Sequence, residues 1–549
     1  MLIIEVLTRR KIRFEWFIRD LNIYWIKIFF VNIVITLRCS YKIIPMSLEK
    51  IGFLIGYNKF IFPYKFSCYR NLYYTGPFPD IIYFDDIEIE EYDVLSKKKF
   101  FYDFKKESID YCFNDLFILH EILKNILDII NFYDKKIIKN SFSFSSVSYK
   151  LFSKNYDFFK ICTKKLNSRE YEYIKKSYFG GRCEVFGNPC DGEIIHYFDF
   201  SGMYAQCMKY KFPMGKSFFK NTDLNLKDIG LHSVKVFSDM EYPILPSYYN
   251  KKLFFLNGAF TGIFTHIELN FFIENGGKVL EHYSSYVYLE ESYVFKDYVQ
   301  EFSKIREKGT YYNIFGKAMN NGLYGSFALS IEKEETVVVF NEDELNTYLE
   351  NTIVKSWKKV NNCIIIKILK NKMSKKFLDK KNKWSDEIDR NVIYASYISS
   401  YARIKLYAGI KEIIKNNGRI FYCDTDSFFA GFEKSNLMVK MGEIIWSEVY
   451  EDAVFISPKF YYIKNQEKIQ IKSKGIRTNK DCDNFLKIKE NFYNNKNEQI
   501  FKNQLSFYKK DFFLLQKYFD KTLTLNGYDK RIFFDNKKRT KAFCLDTYY

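Results

Sequence analysis

The chain has 549 residues, 47% of them hydrophobic and 20% aromatic, which excludes global disorder and is enough for several domains, each with its own core. Its 85 Lys and Arg against 66 Asp and Glu give a net charge of +19, a balance that suits a polyanionic partner whose counterions are released on binding, although a solvated basic surface reads the same. The 11 Cys are scattered without a CxxC and the 5 His are dispersed, so no zinc ligand set is legible and a reducing compartment is the simpler expectation.

Tyr (46) and Phe (57) abound, with Ile, Asn and Lys, while Gly (24) and Pro (9) are scarce. Strongly AT-rich coding produces this pattern, which points to an organellar, plasmid or parasitic genome. It also strips Lys or aromatic abundance of meaning, so that only placement counts.

In chain order, residues 1–37 are apolar and β-branched and read as short buried strands. Leu21 to Leu37 carries Lys27 and two Asn, which argues against a membrane span. Arg9-Arg10-Lys11 is followed by Glu15 and Asp20, which fits a transit peptide poorly. Pro45 stops an extended segment, and Ser47 is placed to cap a helix through Leu48, Ile51 and Leu54. Gly76-Pro77 and Pro79-Asp80 mark loops. A helix is predicted over Glu107 to Phe132, with Tyr111, Phe117-Ile118, Ile122 and Ile126 at helical spacing and Asp115 among them.

Residues 137–175 read as linker through the Ser-rich run 141–149 and then as helix. Tyr178-Phe179-Gly180-Gly181 is a sharp loop before a strand at Cys183 to Phe186. His196 to Phe200 is a short apolar strand that ends at an acid, Asp199. A mixed α/β region follows to about residue 295. Two helices around Gly309 are predicted over Tyr293 to Ala328, the second carrying Lys317. Strands are expected at Glu335–Phe340 and Cys363–Ile368, and a long helix from Asn391 to Asn416. The tail after 470 mixes strand and helix, with basic clusters at Lys472-Ser473-Lys474 and Lys537-Lys538-Arg539. No internal repeat is found.

The chemistry centres on Tyr422-Cys423-Asp424-Thr425-Asp426-Ser427. The flanks read as strands and the acids as the tight turn between them. Two carboxylates at such a turn repel each other, and an oxygen-only donor set favours Mg²⁺ or a similarly hard ion; the plainer reading is an acidic hairpin turn. Asp199 supplies a third acid for a two-metal phosphoryl transfer, and its plainer reading is a helix N-cap. Lys317, Asn321 and Tyr324 fall at helical spacings of four and three, so one face presents an ammonium, an amide and an aromatic ring; a solvated amphipathic helix capped at Gly325 is the alternative.

Taken in order, Asp199 to Tyr204, Lys317 to Gly325 and Tyr422 to Ser427 resemble the three polymerase motifs of family B DNA polymerases. Tyr178 to Gly181 resembles the Y-x-G-G loop between exonuclease and polymerase domains, and Lys459-Phe460-Tyr461 the K-x-Y motif. Together they are similar to the protein-primed branch, particularly polymerases of mitochondrial linear plasmids. The resemblance implies an α/β multidomain fold, a right hand of palm, fingers and thumb behind a truncated RNase H-like exonuclease domain. It implies a partial 3′–5′ exonuclease-like domain over residues 1–150 and a polymerase domain over 151–549. By position alone, palm insertions are expected about 212–295 and 330–380, fingers about 296–328 and the thumb about 470–549.

It further implies two Mg²⁺ ions, with Mn²⁺ as a substitute, held by Asp199, the Phe200 carbonyl and Asp426, with Asp424 as the supporting catalytic acid. Tyr204 would exclude a 2′-hydroxyl. Lys317, with Lys304, Arg306 and Lys308, would hold the triphosphate, and Asn321 and Tyr324 would shape the base-pair pocket. Lys459 and Tyr461 would hold the primer terminus, and Tyr178, Gly180 and Gly181 the template. Gly202-Met203 stands where Ser-Leu is usual, Ala205 where Pro is usual and Gly322 where Ser is usual.

Ser40 to Leu48 resembles a DNA-contacting segment of the proofreading domain, with Cys39 in place of its Asp, and Tyr111 and Asp115 match that domain's third exonuclease motif. No D-x-E precedes residue 38, so the exonuclease is expected to be truncated and proofreading lost. Implied partners are template and primer DNA, dNTPs and a terminal priming protein. A monomer without membrane attachment, located in the mitochondrion and organelle- or plasmid-encoded, is expected. The rival readings are a non-catalytic DNA-binding relic and a metal-dependent nuclease.

Overall fold

A computed structural model describes residues 2–19, 22–44, 46–85, 87–133, 136–137, 141, 143–156, 166–221, 223–307, 310–329, 334–339, 341–360, 363–369, 391–432, 444–466, 469–473, 485–494, 499–510, 513–524 and 527–545. Asp20, Pro45, Lys308, Gly309, Phe340 and Lys474 lie outside the described residues, as do parts of the 330–380 and post-470 segments. No helix among the described residues is long and apolar enough to cross a membrane. The chain divides into two compact units: Met1–Arg38 with Tyr156–Gln300 and Leu323–Tyr549, and Cys39–Asn155 with Glu301–Gly322.

The first unit is built on a five-stranded sheet. Its members in chain order are β1 (Cys183–Val185), β2 (Ile195–Phe200), β3 (Arg419–Asp424), β4 (Ser427–Gly431) and β5 (Ile444–Tyr450). They lie antiparallel in the spatial order β5-β2-β4-β3-β1, which puts the hairpin β3–β4 at the centre with β2 beside it. One face is covered by Val185, Ile195, Phe421, Tyr422 and Phe429, packed on Tyr450, Phe455 and Ile463. Four helices carry residues named below: α1 (Met203–Cys207), α2 (His266–Glu274), α3 (Thr310–Phe327, of which only the residues from Leu323 belong to this unit) and α4 (Ile393–Lys415). The apolar run of α4 is buried along most of its length, and the helix lies against β3 and β4.

A second sheet occupies the mixed region after residue 210. Its order is Cys544–Leu545, Asn257–Thr265, Gly230–Ser238, Lys278–Ser292, Phe212–Lys220. Val234, Val236, Phe260, Phe264, Leu269 and Phe272 form its core. Strands Glu334–Val339, Cys363–Leu369 and Ile353–Val360 form a separate three-stranded sheet backed by the helix Glu342–Asn351.

The first 38 residues depart from the sequence expectation in two ways. Leu2–Arg9 is a helix, ended by Lys11 at φ 53 and with Arg9 complementing its carbonyl end. The three strands Phe14–Arg19, Asn22–Phe29 and Val34–Arg38 do form, but they bury one face only. Ile26 and Ile28 pack on Leu7, while most of Val34–Arg38 is exposed.

In the second unit, Ser47 caps Leu48–Leu54 as predicted, accepting the Lys50 N–H at 3.3 Å. The long helix runs Phe104–Tyr133 and buries Ile118, Ile122, Ile126 and Ile130; Phe117 is 46% exposed, contrary to its place in the predicted stripe. The Ser-rich run is not a linker, because it enters the helix Phe144–Asn155. Val147, Leu151 and Phe152 bury one helical face, and the Ser148 hydroxyl is satisfied by the Phe144 carbonyl four residues back at 2.8 Å.

Candidate active site

Strand alternation decides where the acids stand. Along β2, Phe198 and Phe200 are buried on one face, and Asp199 between them lies on the other and remains half-buried near the strand end. Asp199 pairs with Ser427 of β4, and the Phe200 N–H donates to the Asp426 carbonyl at 2.8 Å. Asp199 and Asp426 are thereby brought to one end of adjacent strands from positions far apart in sequence. The turn between Asp424 and Ser427 has two residues, and Thr425 takes φ 64, a left-handed conformation that a β-branched residue adopts only under constraint. The phenol of Tyr197 reports the acids: burial first, then the charges of Asp199, Asp426 and Asp424, push its pKa up.

Asp424 is held differently from the other two. Both its oxygens lie 3.0 Å from the Lys459 ammonium, and the Thr425 hydroxyl donates to it at 3.2 Å. Lys459 has φ 61, and its N–H donates to the Tyr422 hydroxyl at 2.9 Å. Burial acts to lower the Lys459 pKa, but the bond and charge of Asp424 prevail and raise it. Tyr461 packs its ring on Tyr422 at 5.0 Å and on Phe429 and Phe455, and burial raises its pKa. The K-x-Y residues and the acidic turn therefore form one constellation.

Three tyrosines meet beside it. Tyr204 follows Gly202, whose φ of 64 explains glycine at that departure from the usual motif. Its ring stacks on Tyr324 with centroids 4.2 Å apart and planes at 19°. The Tyr324 and Tyr178 hydroxyls are 3.3 Å apart. Burial raises all three pKa values, that of Tyr204 to about 12.

Lys317 and Asn321 are exposed on α3, the helix that also carries Tyr324; they belong to the second unit, which ends at Gly322. Lys304 is exposed, and Arg306 donates to the Asn313 side chain at 3.1 Å. A Cβ on Gly322 would meet the Ser148 hydroxyl at 2.8 Å and Ser145 backbone at 3.2 Å, which accounts for glycine there. Ser40 opens a short 3₁₀ turn whose carbonyl accepts the Ile43 and Ile44 N–H groups. The Tyr111 hydroxyl bonds that of Tyr64, and the Lys59 ammonium donates to Tyr64 at 3.1 Å and lies 3.9 Å from Asp115. Lys59 was not singled out from sequence, because a lone Lys in a Lys-rich chain carries no signal.

Sequence reasoning also missed Arg403 on α4 and Glu268 on α2. They form a two-pronged ion pair, Nε–Oε1 2.6 Å and Nη2–Oε2 2.7 Å, with side chains only 3% and 1% exposed. Arg403 Nη1 also donates to the carbonyls of Phe179 at 2.8 Å and Gly180 at 3.0 Å. The available signal was an Arg within a helix whose neighbours Ser399, Ser400 and Ala402 are small and buried.

Residues 1–416 match the family described as DNA polymerase type B, organellar and viral. The chain belongs to that family. Among curated relatives, "Probable DNA polymerase" of Podospora anserina is 26% identical over 533 residues, covering 90% of this chain and 42% of the relative. "Probable DNA polymerase" of Neurospora intermedia is 26% identical over 460 residues, covering 77% of this chain and 45% of the relative. The chain thus spans less than half the length of these two relatives. The fold is similar to that of Phi29 DNA polymerase complexed with primer-template DNA, with a TM-score of 0.63 at 16% identity, covering 95% of this chain and 88% of that one. The α/β multidomain polymerase architecture expected of a type B polymerase is therefore present in this chain.

Proposed function

We propose that this type B polymerase chain is a DNA-directed DNA polymerase that adds dNTPs to a primer 3′-OH. The observation that carries the proposal is the delivery of Asp199 and Asp426 to one sheet end by the Phe200–Asp426 backbone bond. The donors there, two carboxylates and the Phe200 carbonyl, are all oxygen, which fits Mg²⁺ or Mn²⁺. Bound divalent ions would supply charge neutralisation and activation of the primer hydroxyl. Among the described residues no group of three His, Cys, Asp or Glu side chains forms a ready-made metal cluster, in keeping with Asp424 being committed to Lys459.

The chain's own residues divide the remaining work. Lys459, anchored by Asp424, places a cation beside the acids for the primer terminus. Tyr204 and Tyr324 present stacked rings as the floor of a nucleotide pocket. Lys317, Lys304, Arg306 and Asn321 contact the triphosphate and the nascent pair, while Tyr178 and Gly180 meet the template, and Ser40 a DNA strand. Residues 1–150 are proposed as exonuclease-like, 151–549 as polymerase, with fingers about 296–328 and thumb about 470–549. Protein priming on a linear organellar element, a mitochondrial location and a monomeric state complete the reading.

Primer extension with Mg²⁺ tests it: the wild-type chain should extend, and Asp426→Asn should lose roughly a hundredfold or more of the rate. Absence of extension by the wild-type chain would overturn the proposal. Proofreading is proposed to be lost, because Asp115 is the one acid of the exonuclease motifs that this sequence matches, and a single carboxylate assembles no two-metal site. Incubation with 3′-labelled single-stranded DNA and Mg²⁺ should give no trimming; trimming that disappears in Asp115→Ala would sink that part.

A further inference from the structure

The two adjacent glycines of the Tyr178–Gly181 loop have different surroundings. Neither lies among the residues with positive φ, so backbone conformation does not demand glycine at either position. A Cβ on Gly180 would meet nothing within 4 Å. A Cβ on Gly181 would stand 2.8 Å from Thr425 Cγ2, 3.0 Å from its Oγ1 and 3.1 Å from its Cβ. The space over Gly181 is therefore filled by the middle residue of the acidic turn.

The same junction is bonded through the backbone. The Thr425 N–H donates to the Arg182 carbonyl at 2.7 Å, and the Asp426 N–H donates to the Asp424 carbonyl at 2.7 Å. Thr425 thus sits at φ 64 with its amide fixed by Arg182, its hydroxyl on Asp424 and its methyl over Gly181. On the other side of the loop, Arg403 holds the Phe179 and Gly180 carbonyls, so the whole stretch from 179 to 182 is tied down between α4 and the turn.

We propose that Gly181 is a positioning residue for the catalytic acids: its missing side chain is the seat of Thr425, and the Gly181–Arg182 backbone clamps Thr425 in the left-handed conformation that sets Asp424 and Asp426. The proposal rests on the polymerase reading above and assigns Gly181 to the turn, while Gly180 keeps an open face for nucleic acid. Rigid packing of this kind transmits a displacement of a few tenths of an ångström directly to the acids, because neither bonded neighbour can relax independently.

The test is a double-mutant cycle of Gly181→Ala and Thr425→Gly. The Thr425→Gly change removes all three crowding atoms and leaves a residue that adopts a positive φ without strain. Three quantities are measured: kcat for extension, Kd for primer-template, and the unfolding midpoint. With Thr425 in place, Gly181→Ala is expected to lower kcat by about tenfold or more; in the Thr425→Gly background the loss should be no more than about threefold, with Kd constant to about twofold. The unfolding midpoint should drop in the Gly181→Ala single variant and recover in the double variant. Equal kcat penalties in both backgrounds, or a rise in Kd that accounts for the loss, would overturn the proposal, as would a double variant that fails to fold. A wild-type chain that does not extend primers would refute the polymerase reading instead, and the unfolding cycle would still decide whether the Gly181–Thr425 contact exists.

Discussion

Replacing Arg403 by Met removes both prongs of its pair with Glu268 and both bonds to the Phe179 and Gly180 carbonyls. Glu268 then keeps the Ser400 hydroxyl at 2.9 Å, in a position where its side chain is 1% exposed. Stranding a buried charge in this way costs about 3–5 kcal/mol, and the near-complete burial and good geometry here place the expectation at the upper end. The apolar pair Glu268→Leu with Arg403→Leu removes both charges together, and such replacements range from neutral to stabilising by about 1–4 kcal/mol. Urea unfolding should therefore show a large loss for Arg403→Met and recovery for the double variant. Primer extension should fall in both, because neither restores a donor to the loop carbonyls. A single variant that loses less than about 1 kcal/mol would refute the buried-pair argument, since that is the range of exposed ion pairs. A double variant with full activity would refute the tether.

Other consequences are open to measurement. On the proposed polymerase reading, in which Tyr204 excludes a 2′-hydroxyl, Tyr204→Val should admit ribonucleotides by relaxing discrimination about a hundredfold, read as the ratio of kcat/KM for dNTP and rNTP, once the ring stacked on Tyr324 goes. His232 is buried and His266 half-buried, and desolvation lowers both pKa values to about 4. Folded chains resist protonating them, whereas unfolded chains take up the proton near pH 6.5. Stability is therefore expected to fall as pH drops below about 6.5, with the loss complete near 4 and worth about 3 kcal/mol for each histidine. Unfolding midpoints at pH 7, 5.5 and 4 check this, and His232→Asn should flatten the profile.

The parts legible in sequence were those where local chemistry and tertiary role agree. The hairpin around Thr425, the strand before Asp199 and the long helix before the hairpin each have a short-range pattern that tertiary packing does not contradict. The Ser-rich run 141–149 misled because serine composition resembles a linker, while Val147 and Leu151 already carried the helical spacing. Pairings across long separations left no local trace. Arg403 with Glu268, and Lys59 with Asp115, are ordinary charges until the fold brings each to its partner. In the sequence Asp424 is simply one of two acids at the turn, and its ion pair with Lys459 at 3.0 Å exists only in the fold.

A strand of only two residues sets a schedule for the molecule's synthesis. Cys544–Leu545 pairs in parallel with Asn257–Gly258, and the Asn257 N–H donates to the Phe543 carbonyl at 3.0 Å. Gly258 has φ 88, and a Cβ there would lie 2.5 Å from the Leu545 carbonyl oxygen, so this edge is shaped for that one visitor. The two segments are nearly 300 residues apart. At translation speeds of about 5–20 residues per second, the Asn257–Gly258 end of the strand Asn257–Thr265 waits roughly fifteen seconds to a minute for its partner. Through that interval it is an unpaired strand edge on a nascent chain, open to pairing with a neighbouring chain on the same message. Slowed elongation after residue 265 should therefore raise aggregation of the newly made chain, and a ribosome-bound chaperone should lower it.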